Sequence, residues 1–222
     1  NPMYFDNSVF DFYASLFNGA ALAPLPREIV ASAPALVRRV AELGCTVWFS
    51  VPSLLIYLMT MRQLPASTWP ALRCLIFGGE GYPKTELKRL FDLFHPRTRL
   101  VNVYGPTECT CICSAYTLGQ ADFRDLQGLA PLGKLAANFS CLLLTEKLAV
   151  AKSGEVGELC LLGPQLAMGY YNDAERTARS FLDNPLSAHF HERLYRTGDL
   201  VRQDDRGLLW FVGRRDNQIK HL

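Results

Sequence analysis

Between Pro34 and Tyr104 the chain alternates short apolar runs with helix-length amphipathic stretches, and few architectures satisfy that alternation. A helix is expected from about Pro34, where Leu36, Val37, Val40 and Leu43 keep helical spacing up to Gly44, followed by a strand over residues 46–49. Pro52 opens a second helical stretch, with Leu54, Leu55 and Leu58, that breaks before Pro65. Residues 72–77 read as a buried strand running into Gly78-Gly79-Glu80-Gly81. Pro83 then opens a helix with Leu87, Leu90, Phe91 and Phe94 on its inner face, and residues 100–104 form another strand. Strands that alternate with helices imply crossover units and a largely parallel sheet, with ligands taken beyond the carboxyl ends of the strands. The glycine run after Phe77 and the turn Tyr104-Gly105-Pro106-Thr107-Glu108 both lie at such ends.

Upstream, residues 3–5 read as a strand end. Asp6, Asn7 and Ser8 are N-cap candidates for a helix carrying Val9, Phe12, Tyr13, Leu16 and Phe17, stopped by Asn18-Gly19, and residues 20–23 read as a short strand. From about Gly128 the texture changes. Short strands are expected at 141–144, 158–162, 194–196 and 208–212, joined by turns such as Asp204-Asp205-Arg206-Gly207, with one helix over 174–182 capped by Asn172 or Asp173. The expected fold class is therefore α/β: a mostly parallel sheet with flanking helices, followed by a β-rich, distorted barrel-like subdomain. Residues 1–127 would form the first part, 128–213 the second, and 214–222 a hinge.

Composition excludes several partners. The 23 basic and 21 acidic residues are interspersed and leave a net charge of +2, so no basic stripe points to nucleic acid or an anionic membrane. No uninterrupted apolar run reaches the roughly 18 residues of a membrane span, and the first residues lack a signal-peptide pattern, so a cytoplasmic setting is expected. Seven cysteines are an odd number. Cys109, Cys111 and Cys113 alternate, which would place them on one face of a strand as reduced, buried thiols; a zinc set would want Cys-x-x-Cys spacing with matching partners.

Taken alone, Tyr104-Gly105-Pro106-Thr107-Glu108 reads first as an ordinary strand-to-loop turn, though its composition also suits setting an aromatic face, a hydroxyl and a carboxylate around a ligand. Four further motifs follow in order: Gly157-Glu158-Leu159-Cys160; Gly163 to Gly169-Tyr170-Tyr171; Tyr195-Arg196-Thr197-Gly198-Asp199-Leu200; and Gly213-Arg214-Arg215-Asp216-Asn217-Gln218. In that order and spacing they resemble the adenylate-forming superfamily. Within it they are most similar to the amino-acid adenylation domains of non-ribosomal peptide synthetases and the D-alanine:carrier-protein ligases.

That resemblance implies an enzyme that joins an amino acid to ATP with Mg²⁺, releases pyrophosphate, and passes the aminoacyl group to the phosphopantetheine of a peptidyl or acyl carrier protein. Such a site needs oriented donors and cations where charge spreads in the transition state. The resemblance makes Glu108 the Mg²⁺ ligand and Thr107 a hydroxyl to the phosphates. Tyr104 would stack on adenine, Gly79, Glu80, Gly81, Asn102 and Gly105 would line the base, Asp199 would accept the ribose hydroxyls, Arg214 would hold ribose and phosphate, and Phe211 would close the other side or belong to the core.

Asp6 matches the carboxylate that pairs with a substrate ammonium, with helix capping as its competing role. Asn7, Phe10, Phe49, Ile76, Gly78, Val103, Cys111 and Ile112 would line the rest of the pocket. They carry no second charge, so a small to medium, uncharged amino acid is expected; Phe49 stands where the family often has something smaller. Asp216 would be the hinge. The family's phosphate loop belongs upstream of Phe5 and its lysine-bearing subdomain beyond Leu222, so a chain of this extent alone is expected to show little adenylation. Two alternatives stay open: a non-catalytic nucleotide-binding or interaction module, and an acyl-CoA or aryl-acid ligase of the same fold, which Asp6 disfavours.

Overall fold

The strand at the centre of the first half is apolar on both faces, as a parallel strand covered by helices on each side must be. In the computed structural model, which describes residues 1–65, 67–187 and 191–215, every residue of that strand is buried. The chain divides into two compact units: Asn1–Val103 with Tyr116–Ala130, and Tyr104–Ala115 with the chain from Pro131 onward. The second of these units thus takes in the loop 104–115 as well as the chain from Pro131.

In the first unit the elements follow in order as α1 (Asn7–Ser15), α2 (Arg27–Val30), α3 (Ala33–Glu42), β1 (Val47–Ser50), α4 (Pro52–Thr60), β2 (Cys74–Gly78), α5 (Lys84–Phe94) and β3 (Arg99–Tyr104). Strands β1, β2 and β3 are parallel, with Phe49 opposite Ile76, Ile76 opposite Val101, and Phe77 opposite Asn102. Prolines at the first turns of α3 and α4 give up no needed hydrogen bond there. Helices α3, α4 and α5 turn Leu36, Val40, Leu55, Leu58, Leu87, Leu90, Phe91 and Phe94 into one core with Leu75, Phe77 and Leu100. Each such side chain contributes about 1.5–3 kcal/mol. Trp69 is buried in the same core, and its indole donates to Val37 O at 3.0 Å.

The second unit is antiparallel. Strand β4 (Ser114–Thr117) pairs through Ser114 and Ala115 with β5 (Lys134–Leu135). Then β6 (Ser140–Leu144), β7 (Val156–Leu162), α6 (Ala174–Ser180), β8 (Phe181–Asp183), β9 (Arg193–Gln203) and β10 (Leu209–Arg214) follow. Their sheet has the order β10-β9-β7-β6, with β8 also on β9. Asp173 caps α6 by accepting from Arg176 N at 2.9 Å, as expected of one of its two candidates.

Several local expectations are corrected. Residues 3–5 form a turn and 20–23 no strand, because neither run has a strand partner. Helix α2 was not anticipated; at four residues it carries no readable periodicity. Cys109, Cys111 and Cys113 do not share a strand: Thr107–Cys109 is a 3₁₀ turn, and Thr110 and Cys111 take left-handed φ of 60° and 71°. The final helix ends at Ser180, and β9 is eleven residues long, not three. Asp216, the expected hinge, lies outside the described residues. Among those residues no helix is long and apolar enough to cross a membrane.

Candidate functional site

Strand β9 is interrupted where the sequence reads Thr197-Gly198-Asp199. Leu200 faces Glu158 on β7 and Arg196 faces Cys160, so three residues of β9 stand opposite Leu159 alone. A bulge of this kind re-aims a side chain and breaks the ladder. Gly198 takes a left-handed φ of 73°, and a Cβ there would lie 2.9 Å from Arg214 Nη2. Thr197 spans the gap: its Oγ1 donates to Leu159 O at 2.8 Å and accepts from Asp199 N at 3.0 Å.

The bulge presents the buried Asp199 to two donors in its own unit. Tyr104 Oη, from the end of β3, donates to Asp199 Oδ2, and Arg214 Nη1, from β10, donates to Oδ1 at 2.8 Å and to Thr197 O at 2.7 Å. Burial and then the neighbouring Asp199 carboxylate push the Tyr104 phenol well above its ordinary range, so it stays a donor. The structure thus gathers three of the expected nucleotide residues, Tyr104, Asp199 and Arg214, into one hydrogen-bonded group. Phe211, on β10 opposite Val201, is partly buried against the second core.

Immediately after Tyr104 the chain tightens. A Cβ on Gly105 would fall 1.9 Å from Cys111 O, so only glycine permits the loop to fold back on itself there. Thr107 is exposed, and Glu108 is half-buried with its Oε1 accepting from Tyr170 Oη at 2.6 Å and its main-chain oxygen from Ala167 N at 2.8 Å. Burial, followed by the bond to Glu108, raises the Tyr170 phenol, and Tyr195 beside both is raised likewise. Arg176 lies over the Tyr170 ring at 3.9 Å. Cys111 is buried and Ile112 half-buried in the same loop. Tyr170 was not singled out as a site residue; the signal available was the doubled tyrosine of the Gly-Tyr-Tyr motif.

Among the described residues no group of three or more His, Cys, Asp or Glu is placed to hold a metal. One carboxylate with a nearby hydroxyl fits Mg²⁺ in the way that ion is usually taken, by one or two carboxylates together with substrate phosphates. Glu108 and Thr107 meet that description, and among the described residues no group forms a dedicated protein cage.

The first unit holds the other expected positions. A Cβ on Gly78, at the end of β2, would lie 2.3 Å from Val103 O, and Gly79 has φ 88°. The Glu80 carboxylate accepts from Ser53 N at 3.0 Å and Ser53 Oγ at 3.1 Å, so it caps α4 and complements its dipole. A Cβ on Gly81 would meet Leu129 at 3.0 Å. Asn102 and Val103 are buried on β3. Asp6 stands at the N-cap position of α1, with no capping bond made by its side chain. Among the pocket residues, Phe10 meets Phe49 edge-on at 5.1 Å, and Phe49 pairs in register with Ile76. A Cβ on Gly79 would lie 4.0 Å from Asn7 Nδ2.

A family model described as "AMP-binding enzyme" matches residues 1–171. Bacitracin synthase 1 of Bacillus licheniformis is 34% identical over 216 residues, covering 97% of this chain and 4% of that protein. The D-alanine--D-alanyl carrier protein ligase of Bacillus cytotoxicus is 32% identical over 221 residues, covering 99% of this chain and 42% of that protein. Among solved structures, PA1221, a non-ribosomal peptide synthetase protein containing adenylation and carrier domains, superposes with a TM-score of 0.82 at 34% identity, over 99% of this chain and 43% of that one. IdnL1 superposes at 0.91 and 29% identity, over 99% and 45%. The chain therefore spans less than half the length of these relatives.

Proposed function

The chain belongs to the AMP-binding enzyme family, and from that premise we propose that it is part of an ATP-dependent ligase that activates an amino acid and loads it onto a carrier protein. A carboxylate oxygen of the amino acid attacks the α-phosphorus of ATP, the bond to the β-phosphate oxygen breaks, and pyrophosphate leaves. The carrier's phosphopantetheine thiol then attacks the acyl carbon of the aminoacyl-AMP, and AMP departs.

The observation that carries the reading is the bulged Thr197-Gly198-Asp199 turn, which offers a buried carboxylate with two acceptor oxygens beside an aromatic ring and a guanidinium. An ionised carboxylate suits a vicinal diol because one oxygen serves each hydroxyl. Tyr104 supplies a face for the base, and Arg214 supplies positive charge beside ribose and phosphate. Thr107 and Glu108 would address the phosphates and Mg²⁺, the ion contributing charge neutralisation at the oxygens where negative charge builds.

In the first unit, Gly79, Glu80 and Gly81 would give their backbone to the base together with Asn102. Asp6 would pair with the substrate ammonium, beside the uncharged Asn7, Phe10, Phe49, Ile76, Gly78 and Val103. That lining supports a small to medium, uncharged side chain, since a charged one would be left unpaired. A relative named as a D-alanine--D-alanyl carrier protein ligase supports an amino acid and a carrier as partners.

The test is ATP–pyrophosphate exchange by the intact protein across a panel of amino acids with Mg²⁺. Exchange with one or a few uncharged amino acids is expected, and Asp6→Ala should keep ATP affinity while losing selection for amino-bearing acids. Exchange with no amino acid but with aryl or fatty acids would overturn the amino-acid assignment.

A further inference from the structure

Two carboxylates are buried among the described residues, Asp199 and Glu158. Glu158 lies in β7 amid Gly157, Leu159 and Cys160, where an unpaired charge would cost several kcal/mol. Its partners account for its presence. Oε2 accepts from Arg196 Nε at 3.0 Å and Nη2 at 2.5 Å and from Arg215 Nη1 at 3.0 Å, while Oε1 accepts from Gly198 N at 3.2 Å.

Those partners surround one feature, the bulge that carries Asp199. Three residues oppose Leu159, and side chains take two of the amides of this bulge. Thr197 Oγ1 takes Asp199 N, and Glu158 takes Gly198 N, at the centre of the bulge. Arg215 N donates to Gly198 O at 2.9 Å, so Glu158 grips the same turn a second time through the Arg215 side chain. The end of β10 that bears Arg214 is thereby tied to the turn that bears Asp199.

We propose that Glu158 is the positioning residue that holds Asp199 and Arg214 in register for a ribose diol, and so sets the second unit's discrimination between ribose and dideoxyribose nucleotides. The proposal rests on the nucleotide reading above. Glu158 touches neither the nucleotide nor the reacting atoms in this role; it acts through the bulge.

The experiment is calorimetric titration of the intact protein with AMP and with 2′,3′-dideoxy-AMP, for the parent, Glu158→Gln, Asp199→Asn and the double variant. The parent should prefer AMP. Glu158→Gln should weaken AMP about tenfold, the worth of roughly one charge-assisted hydrogen bond, and leave dideoxy-AMP unchanged. The double variant should bind AMP no more weakly than Asp199→Asn alone, since both changes act on one group. Equal weakening of both nucleotides, no weakening, or additive effects would overturn the proposal.

If circular dichroism shows Glu158→Gln unfolded, Arg215→Gln takes its place. Its side chain is half exposed and its loss leaves Arg196 and Gly198 N on Glu158. It should cost AMP about threefold with dideoxy-AMP unaffected, and an undiminished preference would overturn the proposal. A parent that fails to distinguish the two nucleotides sinks the nucleotide reading and this inference with it. A parent that distinguishes them alongside variants that do so equally well sinks this inference alone.

Discussion

Tyr104 Oη donates to Asp199 Oδ2 across 95 residues of sequence, and Arg214 occupies the other carboxylate oxygen. The carboxylate proposed to receive a ribose is thus engaged at both oxygens by groups proposed to serve the same nucleotide. In that reading, ribose hydroxyls would compete with these donors or share the remaining lone pairs of Asp199. The site is pre-shaped at the cost of a competition.

That competition separates the ring of Tyr104 from its hydroxyl. Tyr104→Phe removes a donor to a charged group and should cost about 1.5–3 kcal/mol of stability in chemical denaturation. It also releases one oxygen of Asp199, so AMP affinity should hold or rise. Tyr104→Ala removes the stacking face and should weaken AMP at least tenfold, about 1.4 kcal/mol. Calorimetry on both variants decides, and a Phe variant that binds AMP as poorly as the Ala variant would place the hydroxyl itself in binding.

Gly105 is required for a different reason. With Cys111 O only 1.9 Å from its would-be Cβ, alanine forces the backbone of the loop apart. We expect Gly105→Ala to destabilise by more than about 3 kcal/mol or to yield no folded protein. Gly213→Ala is the matched control: a Cβ there meets nothing within 4 Å, so it should change stability by less than about 1 kcal/mol. Thermal melts of the two variants side by side test the contrast.

How much of this was legible beforehand differs by element. Helices α3 and α5 announced themselves through Leu36, Val37 and Val40 and through Leu87, Leu90 and Phe91, because a 3.6-residue period is local information. Residues 20–23 are as apolar as many strands and form none, since a strand exists only with a partner the sequence does not name. The alternating Cys109, Cys111 and Cys113 imitated a strand; Thr110 and Cys111 instead take left-handed backbone that no local pattern signalled. Tyr104 and Asp199 were both singled out from their motifs, yet the bond between them depends on the two-residue register shift of β9 against β7. Glu158 carried a signal that was passed over, an acidic residue inside the apolar run of β7, which burial makes costly unless something specific pairs with it.

The buried thiols predict an alkaline limit. Desolvation, and then Glu108, pushes Cys109 up to about 12, and desolvation, and then Glu158, pushes Cys160 up to about 12. A thiol raised in the folded state keeps its proton there while the unfolded thiol ionises near 8.5–9. Its contribution is therefore fully present below about pH 8.5 and is lost as pH rises toward 12. Urea midpoints should fall steadily from pH 8.5 to 11, and Cys109→Ser should make the fall shallower without abolishing it, because Cys160 and the Tyr104 phenol are raised in the same direction. At pH 8, a thiol reagent should label Cys109 and Cys160 only as fast as the protein unfolds. Rapid labelling of either in the native state would contradict the burial.

Asp204 predicts the acid side. It sits in the turn between β9 and β10, where its Oδ1 accepts from Arg206 N and Leu208 N at 3.0 Å each and its Oδ2 from the Trp210 indole at 3.0 Å. Desolvation works to raise this carboxyl, but the Leu208 amide, the Trp210 indole and the Arg206 donors together hold it well below the usual carboxylate range. A carboxylate lowered in the folded state stabilises above its unfolded value near 3.9 and loses that contribution as pH falls through the folded one. Asp204→Asn retains one acceptor oxygen but not the charge, and should cost about 1–3 kcal/mol at pH 7. The gap between parent and variant should stay constant from pH 7 to about 5 and shrink below about 4, as the unfolded parent takes up its proton first. Denaturant midpoints of both proteins across that range measure it; a gap that widens on acidification would show that the turn is held by something other than this carboxylate.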